Sequence, residues 1–160
     1  IELKTSVLLA GSVVIGAMLG GASDEDCRRL RRFAVELGLA FQLQDDLLDT
    51  YADSDEFGKP VGGDILEGKK TFLLTNALAR ADEPARRSLL ELLSDRTIVP
   101  AEKIARVRAI YDRLGIRELT EKAVAAYFAD ANLALDALEV APDRLKPLRE
   151  LTAELQGRRK

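Results

Sequence analysis

Leu30, Ala34, Leu37, Phe41 and Leu48 form a stripe that only a helix can align, since they fall on one side when wound at about 100° per residue. The same recurrence at three and four residues runs through almost the whole chain, and β-branched residues rarely alternate with polar ones. The chain is therefore expected to be all-α, a helical bundle of about six or seven helices. The first spans about residues 2–19 and ends at Gly20 and Gly21. The second starts behind a Ser23 cap, with Asp24 to Asp26 favouring its dipole, and continues to about 51. A loop covers 52–63 and a third helix about 64–81. Pro84 and Pro100 suit first turns of helices ending near 94 and 115. A long helix covers about 116–140, and Pro142 precedes a last one to 156. Without repeats or a low-complexity linker, the chain reads as one all-α unit.

At 160 residues and 47% hydrophobic content, such a unit can bury a sizeable core. A net charge of −3 gives no reason to expect a nucleic-acid partner. Cys27 is the only cysteine, which excludes an internal disulfide and suits a reducing cytoplasm. The absence of histidine removes the commonest general base and zinc ligand, so any metal would be a hard cation on oxygen, such as Mg²⁺.

Residues 5–23 carry no charge, and Gly16 and Gly20 form a GxxxG. That length barely reaches across a bilayer, the small residues just before Asp24 also resemble a signal-peptide cleavage site, and small residues supply nearly half of the segment. A buried helix in a soluble bundle is the better reading, with no membrane span.

The helix from 24 to 51 ends in FQLQDDLLD. Asp45 lies about 40° from Phe41 on the edge of the apolar stripe, with Gln42 and Asp49 beside it and Asp46 pointing further out. Asp45 and Asp49 repel each other at a spacing of four, and a shared divalent cation or a nearby lysine would reverse that sign. A solvated helix end is the alternative. In the loop that follows, Asp53, Asp55, Gly58 and Asp64 partly match an EF-hand count, which Phe57 and Pro60 spoil.

Three lysines complete the pattern: Lys4, with Thr5 beside it; Lys59, in FGKPVGGD; and Lys69, expected to open a helical segment. Each alone would pass as a surface residue. Together with the aspartates they suggest a magnesium-bound polyphosphate, with metal bridging carboxylate to phosphate and ammonium groups covering the other oxygens.

FQLQDDLLD, FGKPVGGD and GKKT, in this order behind Lys4 and Thr5, resemble the second aspartate-rich region of the trans-isoprenyl diphosphate synthases. The likeness runs from Ile1 to about Leu74. It implies an isoprenoid-synthase bundle around a deep cavity, usually a homodimer. It also implies a Mg²⁺-dependent prenyltransferase that joins isopentenyl diphosphate to an allylic diphosphate. Carried over residue by residue, Asp45, Asp46 and Asp49 are metal ligands, holding one of three Mg²⁺ ions. Lys4, Lys59 and Lys69 hold the allylic diphosphate, Thr5 and Gln42 sit near the developing cation, and Phe41 lines the hydrocarbon pocket. Arg158, Arg159 and Lys160 resemble a basic tail that covers the site in some members; a frayed terminus accounts for them equally well.

The first aspartate-rich motif of that family, and its set of residues for isopentenyl diphosphate, have no counterpart here. The expectation is that residues 1–160 are the C-terminal part of one prenyl synthase domain, inactive alone. Such a part would pair with a second copy or with the absent half. The alternative is a non-catalytic helical partner of the same fold.

Overall fold

The computed structural model describes residues 5–52 and 61–158. Among them are eight helices and no strand: α1 (Ser6–Leu19), α2 (Asp24–Tyr51), α3 (Gly63–Leu66), α4 (Phe72–Arg80), α5 (Glu83–Ser94), α6 (Pro100–Arg113), α7 (Ile116–Asp136) and α8 (Pro142–Gln156).

The helix starts follow local chemistry. The Asp26 N–H donates to Ser23 Oγ at 3.1 Å, so Ser23 caps α2 as expected. Prolines occupy the first turns of α5, α6 and α8, where a missing N–H costs nothing. α1 stops where Gly21 turns left-handed (φ 76°) and the Ala22 N–H donates to the Ala17 carbonyl at 3.0 Å.

The single helix expected over 64–81 is instead two. Gly68 adopts φ 63°, a conformation that interrupts a helix, and Thr71 Oγ1 accepts from the Leu74 N–H at 3.2 Å to start α4 afresh. The helix expected to reach 140 ends at Asp136, ahead of extended Ala141, the residue before Pro142.

The chain divides into two compact units: residues 1–42 with 123–158, and residues 43–122. The first unit buries Phe33, Ala34 and Leu37 of α2 with Phe128 and Leu135 of α7 and Leu145 of α8. The second buries Leu73, Leu89, Val107 and Ile116 around α4 to α6. Each large side chain so enclosed contributes roughly 1.5–3 kcal/mol. Lys103 is buried in the second unit, and its Nζ donates to the carbonyls of Leu93 (2.9 Å) and Asp95 (3.1 Å), closing the C-terminal end of α5.

No helix among the described residues is long and apolar enough to cross a membrane.

Candidate active site

In the second unit, the carboxylates of α2 meet the turn that carries α3. The Gly62 N–H donates to the Asp49 carbonyl at 2.6 Å, and the Asp64 N–H donates to Asp49 Oδ2 at 2.9 Å. Gly62 makes this turn at φ 89°, and a Cβ there would strike Ile104 at 2.6 Å. Asp64 in turn receives Lys69 Nζ on Oδ1 at 2.7 Å. Lys69 thus lies in the link between α3 and α4 rather than opening a helix, with Gly68 bending the chain just before it.

The electrostatics follow from this crowding. Burial, chiefly, and the neighbouring Asp64 and Asp45 push the Asp49 carboxyl above its usual range, against the opposing Asp64 N–H and Lys69. The hydrogen bond to Asp64, and the charges of Asp64, Asp46 and Asp49, raise the Lys69 ammonium. Asp46 does not point outward: it is 2% exposed, whereas Asp45 is half-buried. The buried face of the last turns of α2 runs through Leu43, Asp46 and Thr50, not through Phe41 and Leu48. Tyr51 anchors the helix end, its hydroxyl donating to Asp112 at 2.8 Å and its ring lying about 5 Å from the guanidinium groups of Arg108 and Arg117.

In the first unit, Thr5 Oγ1 donates to Gln42 Oε1 at 3.1 Å. Thr5 is the N-cap residue of α1, yet its hydroxyl makes no cap hydrogen bond and turns to Gln42 instead. Phe41 is half-buried, with the Arg158 guanidinium 5.1 Å from its ring centroid. Lys4, Lys59, Arg159 and Lys160 lie outside the described residues, as do Asp53, Asp55 and Gly58 of the EF-hand count.

In the sequence, Asp64 stands out only in that count. The signal that could have found it is an acid directly after the flexible Gly62 and Gly63, ahead of Lys69.

The donor chemistry suits Mg²⁺. Aspartate oxygens are hard ligands, and Asp49 is held among like charges that a divalent cation would relieve. Among the described residues, no three acidic or cysteine side chains converge as a ready metal cage. Two cavities, of about 540 and 620 Å³, lie one in each unit, and among the described residues none predicted for the site lines either.

Comparison with known proteins identifies the family. The family model for polyprenyl synthetase matches residues 1–114. A short chain isoprenyl diphosphate synthase of Methanothermobacter thermautotrophicus is 37% identical over 150 residues, covering 94% of this chain and 42% of the relative. A crystal structure of a geranylgeranyl pyrophosphate synthase superposes with a TM-score of 0.88 at 32% identity, over 100% of this chain and 50% of that one. A Corynebacterium glutamicum geranylgeranyl pyrophosphate synthase, solved with isoprenyl diphosphate and magnesium, gives 0.86 at 29% identity, over 98% and 44%. The chain spans about half the length of these relatives or less. With the fold of the geranylgeranyl pyrophosphate synthases and the family's match over most of its length, this chain belongs to the polyprenyl synthetase family.

Proposed function

We propose that this chain supplies the second aspartate-rich half of a prenyl diphosphate synthase site, which joins isopentenyl diphosphate to an allylic diphosphate head to tail. The observation that carries the reading is the sequence of contacts from Asp49 through Asp64 to Lys69, two carboxylates and an ammonium group gathered at one turn. The neighbour solved with isoprenyl diphosphate and magnesium supports it.

Mg²⁺, when bound, would neutralise and polarise the diphosphate leaving group. Asp45 and Asp49, one helical turn apart, would hold the ion, with Asp46 assisting. Lys69, with Lys4 and Lys59, would cover diphosphate oxygens that the ion leaves free. The Thr5 and Gln42 dipoles would lie beside the carbon that develops positive charge, with Phe41 against the hydrocarbon chain. No histidine is needed as base, since the departing diphosphate can take the proton. The same reading has the protein in the cytoplasm, as a homodimer or paired with the complementary half.

A non-catalytic helical partner of the same fold is the second reading. The sequence encoded ahead of Ile1 separates the two: a second DDxxD there supports the enzyme, and a full-length gene without one ends that reading.

In a complete protein, Asp45→Ala is expected to lower turnover at least about a hundredfold. Near-normal condensation by that variant refutes the role of Asp45. Calorimetry on the chain alone should find weak binding of Mg²⁺ with an allylic diphosphate. Tight binding would contradict a half-site.

A further inference from the structure

Gly38 lies one turn before Gln42 on α2, and Ser6 directly follows Thr5 at the start of α1. The two helices approach closely here. Ser6 is fully buried, and its Oγ donates to the Val35 carbonyl at 3.3 Å. A Cβ built on Gly38 would meet Ser6 Oγ at 2.5 Å, Ser6 Cα at 3.0 Å and Ser6 Cβ at 3.1 Å. Two of those three atoms cannot rotate away, because they belong to the backbone or are fixed to it. A methyl group at position 38 therefore has to be accommodated by separating α1 from α2.

The consequence falls on the residue just ahead of α1. Thr5 reaches Gln42 at 3.1 Å, already at the long end of the O–H···O range, so separating the helices lengthens and weakens the pair. We infer that Gly38, facing Ser6, is a positioning residue that sets the reach from Thr5 to Gln42. With its proton committed to Gln42 Oε1, the Thr5 hydroxyl keeps its oxygen lone pairs for whatever lies on its other side. Under the function proposed above, on which this use of the pair rests, that is the electron-poor carbon of the allylic substrate. Glycine at 38 then serves the site by absence of a side chain, and not by conformational freedom, since it lies inside a regular helix with no positive φ.

The test uses side-chain amide resonances of Gln42 in the ¹⁵N-labelled chain. Thr5→Val removes the donor and defines the resonance shift of the broken pair. Gly38→Ala should move the Gln42 resonances to the Thr5→Val position while helical circular dichroism persists. Adding Ser6→Gly deletes two of the three clashing atoms and leaves the Cα approach at 3.0 Å, which a few tenths of an ångström of movement relieves. The double variant should recover more than half of the shift, with Ser6→Gly alone as its reference. A folded Gly38→Ala chain with unchanged Gln42 resonances overturns the inference. So does a folded double variant that shows no recovery. If Gly38→Ala fails to fold, the double variant must fold with Gln42 near its wild-type resonances; a double that also fails overturns it.

In a protein completed with an amino-terminal half, Gly38→Ala should lower kcat by up to about a hundredfold with little change in KM, and Ser6→Gly should restore it. Loss of the amide signature without any condensation activity in the completed wild type would defeat the proposed reaction and leave the positioning role standing.

Discussion

The Asp64 N–H donates to the Asp49 carboxylate at 2.9 Å, while the Asp64 side chain holds Lys69 at 2.7 Å. One residue thus serves the acid through its backbone and the base through its side chain. The acid still gains too little. Burial first, then Asp64 and Asp45, keep its carboxyl above the usual range. Asp49 ionised is therefore a cost to the fold, as the proposed role in holding a ligand would require.

Asp49→Asn should for that reason stabilise the isolated chain at neutral pH. The sign follows from linkage: a carboxyl raised in the folded state disfavours folding once pH exceeds its folded pKa, and not below its unfolded value. The gain should grow as pH rises above about 4 and vanish below it, where an ordinary aspartate is protonated. Urea unfolding of both proteins across that range reads it. A variant less stable than wild type at pH 7 would contradict the assignment. The same variant should lose any Mg²⁺-dependent binding of diphosphate.

The starts and stops of helices could be read in advance because they depend on neighbours within one turn. Ser23, Pro84, Pro100 and Pro142 needed nothing from elsewhere. The break after α3 was missed because apolar periodicity continues across it, and only the left-handed Gly68 reveals it. Asp46 was misplaced for a different reason. One helical wheel assumes one buried face, but the inward side of α2 passes through Phe33 and Leu37 early and through Leu43, Asp46 and Thr50 late. The site's aspartates and Lys69 were visible as a motif, whereas the part played by Asp64 depends on a turn closed by the Gly62 N–H on Asp49.

Lys103 offers a test of the second unit by itself. Its ammonium is buried and gives two hydrogen bonds to the carbonyls of Leu93 and Asp95, groups left without partners at the end of α5. Lys103→Met keeps most of the aliphatic length and removes both donors. The expected loss is about 1–3 kcal/mol, read as a lower urea midpoint at an unchanged slope. Lys122→Met is the control: Lys122 is exposed, in a surface pair with Glu118 at 2.8 Å, and its replacement should move stability by no more than about 0.5 kcal/mol. Equal effects of the two substitutions would mean that the buried ammonium does not cap α5.

α1 presents an unusual face for so small a unit. Val7, Leu8, Ile15, Met18 and Leu19 are all exposed, Leu8 by 77% and Leu19 by 85%. At about 100° per residue they fall within an arc of about 120°, opposite the buried Ser6 and Ala10. A continuous apolar stripe of that kind marks a surface meant to be covered. If copies of this chain cover it for one another, the isolated protein should self-associate through it. Leu8→Gln with Ile15→Gln should then weaken association about tenfold or more, since each removes a large side chain from the centre of the contact. Sedimentation velocity over a range of concentrations measures the change, and circular dichroism checks that the helices remain. A wild-type chain that stays monomeric at every concentration would exclude self-pairing. The stripe would then be tested against an amino-terminal half of a family member, whose binding the same two substitutions should weaken by the same factor.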